Sequence, residues 1–465
     1  MILILNLGLY IFFTLSLAFV IKKIFFDYYM KLEENSLLPI LIVLPFSFYF
    51  SSILYFYNLI LFENLKTSLI FLEFLLLISF IYIFLKIFKK KYKRKIKKQN
   101  NYPTNFLHFF FYSLFTLNIF IFFIKSIRSP HGGIDAIVSW NRPARFLFRD
   151  GGNYWLNNFK IEENFNSQYP LYIGSSVARN WLYLNFETTI FPIIFHLIHY
   201  FSVIFLLFYS LRIFLKQNSA LISSIILSSS VLFLQISVNQ YADIAVSYFI
   251  LFSFILLVCS QKNKKLELDL LFLVGLSIGI TGWIKNEGLI YSISLISSII
   301  FFQLLNKSFL NKKNYFLIIG FLIAIIPTFI KNIFYPFPNI FLSLNFKEKI
   351  SFFLNFDRIL SVFKSMFTLF FTGNNYIIFF LLFLIYLIGF KKRVNFEILK
   401  IFCLFFLFST SFIFLVFLQM PYDSIEGIIN AIYPRWQIQL LPAFLFCIFL
   451  VLNDKINYKK KRLYF

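Results

Sequence analysis

Ionisable side chains next to long apolar segments are the residues of this sequence most able to do chemistry. Asp135 directly follows one such segment, in Pro-His-Gly-Gly-Ile-Asp, and four others lie at the ends of later apolar segments: Asp243, Lys285, Glu287 and Arg435. Charged groups in such places are costly and tend to be functional. Carboxylates beside cations are what a hydroxyl acceptor and a lipid-phosphate leaving group would require.

Each of these residues also has a purely structural interpretation. Asp135 could cap the start of a helix or pair with a nearby arginine instead of acting as a general base. Lys285 and Glu287 could neutralise one another in a tight turn, and Arg435 could reach toward lipid headgroups.

The segment after Asp135 has the pattern of an amphipathic helix. Four apolar residues recur at helical spacing, and three arginines fall on another face: Ile137, Trp140, Ala144 and Phe148; Arg142, Arg145 and Arg149. The pattern predicts a helix in the membrane interface, with its apolar side toward lipid and its guanidinium groups toward phosphates. Pro143 fits a first helical turn with Asn141 as N-cap, or else marks a kink.

Aromatic residues are dense at both ends of this region. Trp140 lies near its start, and Tyr169 stands before a proline in Gln168-Tyr169-Pro170-Leu171. Tyr and Trp at this density are typical of an interface belt, and their rings could equally line a sugar site. The residue types leave both interpretations open.

Composition places the chain in a membrane. Of its 465 residues 60% are hydrophobic and only 14% are charged, whereas soluble proteins keep about a quarter of their residues charged. The net charge of +24 could indicate a nucleic-acid partner, but most basic residues lie in short loops, as the positive-inside rule expects. We therefore expect membrane lipids and no nucleic acid as partners. The three cysteines, Cys259, Cys403 and Cys447, all lie in apolar segments and predict no disulfide framework.

Apolar runs long enough to cross a bilayer recur from end to end. We predict about 13 spans, at 2–21, 38–61, 68–88, 106–124, 189–211, 219–238, 241–259, 268–284, 288–305, 315–335, 374–390, 398–418 and 436–452. Placing the basic cluster Lys89–Lys98 in the cytoplasm puts 28 of the 44 Lys and Arg residues on that side. The C-terminus is then cytoplasmic, and the external side carries a large loop, 125–189, and a smaller segment, 336–373, of short amphipathic pieces. Asp135 and the four ionisable residues at the ends of later spans all lie on that external side, so they could converge in one cavity facing outward.

The motifs together resemble the GT-C-type membrane glycosyltransferases, which include protein O-mannosyltransferases, aminoarabinose transferases and Rgt-like galacturonosyltransferases. Five short matches carry the resemblance, at Gly133–Phe148, Tyr169–Leu171, Tyr241–Asp243, Lys285–Gly288, and Arg435 with Leu440–Pro442. The pattern departs from the family at Pro143, where a basic residue is expected, and at Ser167-Gln168, where an acidic residue is expected.

The resemblance implies an all-α polytopic fold with amphipathic helices in its first external loop. It implies inverting transfer of a sugar from a polyprenyl-phosphate donor to a lipid, glycan or protein hydroxyl. Asp135 matches the family's general base, and Asp243, Lys285, Glu287 and Arg435 carry over as substrate-site residues. The arginine face, Trp140 and Tyr169 are further substrate-binding candidates. Independently of the resemblance, the chain shows no D-x-D motif and no His cluster, so a tightly bound metal or other cofactor is not required. Weak binding of a divalent cation by Asp135 with Asp243 stays open.

The matches span about residues 106–445, so we predict a GT-C-like membrane domain over 106–465, preceded by three spans in 1–105. It implies the bacterial cytoplasmic (inner) membrane, with the active site facing the periplasm or exterior. Two alternatives stay open: a secondary transporter or lipid-linked glycan flippase, and a polysaccharide polymerase or ligase. A transporter predicts inverted repeats with ionisable groups near the bilayer midplane, and a polymerase predicts its richest external loop later in the chain.

Overall fold

The structure is a computed structural model and describes residues 2–29, 38–63, 65–89, 106–149, 155, 157, 159, 168–306, 312–334, 346–372, 396–420 and 425–452. Within these residues the regular elements are all helices, and no strand is found. This confirms an all-α polytopic membrane protein. The chain divides into two compact units, Met1–Ile213 with Ser224–Tyr248, and Phe214–Ser223 with Phe249–Phe465.

The first unit contains the segment around Asp135. Its helices are α1 (Ile2–Lys22), followed by a π-helical turn (Lys23–Tyr29), α2 (Leu38–Phe62), α3 (Lys66–Lys89), α4 (Phe106–Arg128), a π-helical segment (Ala136–Asn141), α5 (Arg142–Phe148), α6 (Tyr172–Leu184), nearly all of α7 (Ile190–Phe214), and α9 (Val231–Val238). Two helices, α8 (Gln217–Ser228) and α10 (Asp243–Lys262), are divided between the units.

The second unit contains the Lys285 motif and Arg435. Its helices are α11 (Glu267–Ile284), α12 (Glu287–Leu305), α13 (Lys312–Phe334), α14 (Phe346–Leu354), α15 (Phe356–Thr372), α16 (Phe396–Leu418) and α17 (Ile425–Leu452). The predicted division at residue 105/106 was drawn from the extent of the resemblance and not from packing, so it stays a prediction.

Eleven of the described helices are long and apolar enough to cross a membrane, or up to 12 if one bent pair counts as a span. The membrane solution suits these sequences because each helix satisfies its own backbone hydrogen bonds where no water can. The predicted span 374–390 lies outside the described residues. In the first unit, only 22% of the apolar window of α4 is buried, against 67% for α2, so α4 presents apolar side chains outward, as lipid contact requires.

Proline inside α2 is accommodated by a neighbouring helix. Pro45 has no backbone N–H, so the Leu41 carbonyl loses its helical partner. The Ser202 hydroxyl donates to that carbonyl at 2.9 Å. Hydroxyls commonly take over such freed carbonyls in membrane helices, and here the contact fixes α7 against α2.

The predicted span 219–238 is not one continuous helix. Instead α8 and α9 meet at a 60° bend, in the run Ser228-Ser229-Ser230. Ser230 has extended backbone, and its hydroxyl accepts a hydrogen bond from the Phe233 N–H, so it starts a new helix as an N-cap. The Asn118 amide donates to the Ser228 carbonyl at 2.8 Å, at the end of α8.

Two predictions about the second unit have different outcomes. The last span was predicted to begin at residue 436, but α17 begins at Ile425 and contains Pro434 and Pro442, so Arg435 lies inside a helix and not at its end. The prediction of short amphipathic pieces is met by α14 and α15. Along α15 four exposed apolar residues form one stripe: Phe356, Leu360, Phe363 and Phe367.

Candidate active site

The segment that carries Asp135, residues 130–141 (the Asp135 segment), is docked onto the turn before α10. The Gly133 N–H donates to the Asn239 carbonyl at 3.0 Å. Gly132 has a φ of 76°, and a Cβ there would lie 2.7 Å from the Asn239 carbonyl oxygen. A Cβ on Gly133 would meet the Tyr241 hydroxyl at 2.6 Å. The two glycines therefore allow a close backbone approach between two of the motifs that carry the family resemblance.

Gln240 holds this docking together. It is fully buried and has a φ of 58°, an uncommon conformation for a non-glycine residue. Its side-chain amide donates to the Pro130 carbonyl at 3.0 Å and accepts from the Asn141 amide at 2.9 Å. Sequence reasoning did not assign a role to Gln240, although it stands in the motif with Tyr241 and Asp243.

Asp135 is half-buried, and its backbone is already helical. It precedes the π-helical segment, and its side chain makes no capping hydrogen bond there. The interpretation of Asp135 as a side-chain cap is therefore wrong. The aromatic candidates of this region do come together, because the Trp140 and Tyr169 rings lie 5.2 Å apart in an edge-on arrangement.

The amphipathic segment differs from its prediction in two ways. Pro143 lies in the first turn of α5, as expected, but the Asn141 side chain does not cap the helix; it donates to the His131 carbonyl at 3.1 Å and to Gln240. The preceding residues are already helical, so there is no ordinary N-cap. The apolar side does not face lipid throughout: Ala144 and Leu147 are buried against α6, beside Gly174.

The arginine face meets a carboxylate that sequence reasoning missed. The Arg149 guanidinium donates twice to Glu187, at 2.5 and 3.0 Å, and Arg145 lies 3.5 Å from the same carboxylate. Arg145 and Arg149 thus share one partner, which confirms that they lie on one face. Glu187 is 38 positions from Arg149 and has no helical register with it, so only the fold could reveal this pairing.

A cleft of about 220 Å³ lies beside these groups. It is lined by Pro130, His131, Asn141, Arg145, Trp181, Glu187, Thr188, Thr189 and Pro192. The cleft is therefore walled by the start of the Asp135 segment on one side and by the connection between α6 and α7 on the other.

Asp243 is fully buried as the first residue of α10. It lies in the surroundings of His196 of α7. The neighbouring His199 shares a hydrogen bond of 2.8 Å with the Tyr172 hydroxyl. These histidines lie within a predicted span and were not singled out from the sequence.

A buried ion pair links the first three spans to α6. Glu73 of α3 and Arg179 of α6 are 3% and 1% exposed and form a two-point contact, the second hydrogen bond being 3.0 Å long. The Tyr183 hydroxyl donates to Glu73 at 2.7 Å. Burial, reinforced by the Glu73 carboxylate, raises the pKa of Tyr183 above its ordinary value, so the hydroxyl stays a donor. A lone carboxylate in an apolar span was the signal that sequence analysis passed over.

In the second unit the Lys285 motif forms a tight turn between α11 and α12. Lys285 is buried and has extended backbone, and its ammonium group lies 3.3 Å from Glu287. A Cβ on Gly288 would overlap the Thr281 carbonyl, so only glycine fits there. Neutralisation between Lys285 and Glu287, the structural alternative, is therefore observed.

Arg435 lies in an aromatic part of α17. The Tyr433 and Trp436 rings are stacked at 5.5 Å, and Trp436 also stacks on Tyr291 of α12 at 6.4 Å. The Asp135 segment and Asp243 thus lie in the first unit, whereas the Lys285 turn and Arg435 lie in the second. The prediction that both groups share one cavity stays a prediction.

Residues 182–330 match the family described as dolichyl-phosphate-mannose-protein mannosyltransferase. This confirms the resemblance to GT-C-type membrane glycosyltransferases. The match supports a glycosyltransferase and a multi-pass membrane protein, and the family implies a lipid-linked sugar donor. No curated protein and no solved structure gives a significant match.

The matched range contains some of the candidate residues and not others. Glu187, Asp243, Lys285 and Glu287 lie within 182–330, whereas Asp135 and Arg435 lie outside it. Among the described residues, no group of three or more His, Cys, Asp and Glu side chains could hold a metal ion. The weak divalent site at Asp135 and Asp243 stays a prediction.

Proposed function

We propose that this protein transfers a sugar from a polyprenyl-phosphate donor to a hydroxyl acceptor on the external face of the membrane, with inversion. The observation that supports this most is the docking of the Asp135 segment onto the Asn239–Tyr241 turn, beside a cleft with both polar and apolar lining. Two motifs more than 100 residues apart are thereby held together, in a chain that resembles GT-C-type glycosyltransferases.

In the proposed reaction Asp135 takes the proton of the acceptor hydroxyl. The acceptor oxygen forms a bond to the anomeric carbon while the bond from that carbon to the phosphate oxygen breaks. Polyprenyl phosphate leaves with the electron pair of that bond. One displacement inverts the anomeric configuration and needs one base, with no carboxylate nucleophile.

The leaving phosphate needs fixed cations, because negative charge develops on it as the bond breaks. Lys285 and Arg435 are the proposed ligands, with Arg142 of the loop as a third. Glu287 holds Lys285 in a defined place by their ion pair, so the ammonium group needs little reorganisation to meet a phosphate. Arg145 and Arg149 are already directed to Glu187 and are left out of this role.

The proposal is tested by transfer from labelled polyprenyl-phosphate sugars in purified protein, comparing wild type with Asp135→Asn. Loss of a general base lowers the rate by roughly 100- to 10,000-fold, while the asparagine keeps the side-chain shape. Asp269→Asn is the matched control, because Asp269 is exposed in the first turn of α11. Full activity of Asp135→Asn would remove Asp135 as the base.

A further inference from the structure

The cleft beside the Asp135 segment is small, and part of its lining is polar. Its volume of about 220 Å³ is below the roughly 300–1,000 Å³ of sites for drug-sized ligands, so it fits one small ring. Its polar lining includes an amide, a guanidinium, a carboxylate and two threonines: Asn141, Arg145, Glu187, Thr188 and Thr189.

The charge of the cleft is unfavourable for a phosphate. Glu187 lines it, and both nearby guanidiniums, Arg145 and Arg149, point at this carboxylate. An anion entering the cleft would meet the Glu187 carboxylate, and it would have to compete with Glu187 for the guanidinium donors. An uncharged ligand meets neither obstacle.

Two buried atoms of the lining lack hydrogen-bond partners among the described residues, namely the Oδ1 of Asn141 and the Nε of Arg145. Asn141 is only 6% exposed, and the Arg145 Nε has just the 3.5 Å ion-pair contact with Glu187. Buried polar groups are normally hydrogen-bonded, and exceptions mark sites for water or a ligand. The first atom accepts and the second donates.

A hydroxyl group satisfies both kinds of atom, because it donates one hydrogen bond and accepts others. A fully ionised phosphate only accepts, so it cannot satisfy the Asn141 oxygen or the Glu187 carboxylate. The polar lining of the cleft therefore matches neighbouring hydroxyls on one ring and does not match an anion.

We propose that this cleft binds one uncharged, hydroxyl-rich sugar ring, with Glu187 and Asn141 accepting from its hydroxyls and Arg145 donating. The inference rests on the proposed sugar transfer and adds a recognition site to it. Glu187 excludes anions from the cleft, so the lipid phosphate binds elsewhere. The ring belongs either to the acceptor or to the sugar of the donor.

The test is direct binding to the purified full-length protein, without turnover. Saturation-transfer NMR measures the binding of a panel of methyl hexosides, and separately of inorganic phosphate, to wild type and to Glu187→Gln. The substitution keeps the side-chain shape but removes the charge. We expect hexoside affinity to fall about tenfold, because hydrogen bonds to a charged acceptor are lost, and phosphate affinity to rise, because two guanidiniums are released. The matched control is Glu397→Gln, at an exposed position of α16.

A second variant, Thr189→Val, removes a hydroxyl from the same side of the cleft and leaves the ion pairs of Glu187 in place. It should also weaken hexoside binding. Circular dichroism melting verifies that each variant is folded. Absence of hexoside binding to wild type, or phosphate binding that Glu187→Gln weakens, would overturn the inference. Asp135→Asn should still bind hexosides, so failure of the proposed base and failure of this subsite give different results.

Two further arms identify the source of the ring. If short-chain prenyl-phosphate sugar competes with the bound hexoside and loses affinity in Glu187→Gln, the ring is the donor's. If the donor binds both proteins equally while the KM for acceptor rises in Glu187→Gln, the ring is the acceptor's. Either result supports a sugar subsite.

Discussion

At the scale of single residues, the candidate site depends on how closely backbones approach. Gly132 and Gly133 lie against the Asn239–Tyr241 turn, and Gln240 bridges from that turn to Pro130 and Asn141. A local motif such as Gly-Gly-Ile-Asp is therefore shaped by residues more than 100 positions away. Changes at these glycines should affect Asp135 without touching it.

Gly132→Ala is expected to destabilise the docked segment. The new Cβ would lie 2.7 Å from the Asn239 carbonyl oxygen, and residue 132 has a φ of 76°. We expect the clash and the strained backbone together to lower the free energy of unfolding by about 1–3 kcal/mol. The measurement is the thermal midpoint in detergent, with transfer activity as a second readout. Gly174→Ala is the control, because its Cβ would be 3.4 Å from the nearest atom, a tight but tolerable distance. Equal midpoints for the two variants would show that the docking is loose.

The residues named from the sequence are only part of this neighbourhood. Asp135, Trp140 and Asp243 could be singled out because charge and aromatic character stand out in or beside apolar segments. Gln240 could not, because an uncharged polar residue in a turn carries no such signal. Glu187 is charged and stands just before a predicted span, but nothing in its local spacing indicates that two arginines are its partners. Their roles come from partners that only the fold supplies.

At the scale of elements, a buried ion pair joins α3 to α6. Glu73 and Arg179 are almost fully enclosed, and Arg179 also donates to Thr14 of α1 at 3.1 Å. Its guanidinium lies over the Tyr10 ring, 4.5 Å from the centroid. The first three spans, which precede the matched range, thus hold one wall of the cleft, because α6 carries Trp181.

Breaking this pair should be strongly destabilising. Glu73→Met leaves the Arg179 charge buried without its carboxylate, at a cost of roughly 3–5 kcal/mol. The double variant Glu73→Met with Arg179→Met should recover most of that loss, since no uncompensated charge remains. Thermal unfolding in detergent checks both.

The control for this pair is Lys264→Met. Lys264 pairs with Glu267 at 3.5 Å but its side chain is 70% exposed, and exposed pairs contribute about 0–1 kcal/mol. A double variant as unstable as Glu73→Met would mean that packing, and not buried charge, dominates this contact.

The helix boundaries show why the existence of the spans was predicted better than the breaks and connections between helices. Long apolar runs specified the spans, but the bend between α8 and α9 arises from Ser230 acting as an N-cap, with Asn118 on the Ser228 carbonyl. A serine in an apolar run reads as a tolerated polar residue. The contact of Asn118 with the Ser228 carbonyl at this break comes from another helix, and the local sequence does not indicate it.

At the scale of the whole molecule, charge asymmetry predicts on which side of the membrane each loop lies. Charge asymmetry puts the loop between α4 and α7 outside and the turn between α10 and α11 inside. Phe186→Cys in the first and Lys264→Cys in the second are exposed positions. The natural cysteines are buried or half-buried, so their background labelling should be low.

We expect a membrane-impermeant maleimide to label Phe186→Cys in intact cells and Lys264→Cys only after permeabilisation. The extent of labelling is measured by gel shift. The reverse pattern would invert the topology and place Asp135 on the cytoplasmic side, where the proposed external transfer could not occur.

The sequence by itself determined the helical membrane architecture, because a bilayer without water forces every long apolar run to satisfy its own backbone hydrogen bonds. It also singled out Asp135 and the charged ends of later spans, because charge is costly there. The tertiary structure alone decided which side chains meet. Glu73 with Arg179, Glu187 with two arginines, and Gln240 with Asn141 join residues 38 to 106 positions apart, and no local spacing encodes such contacts.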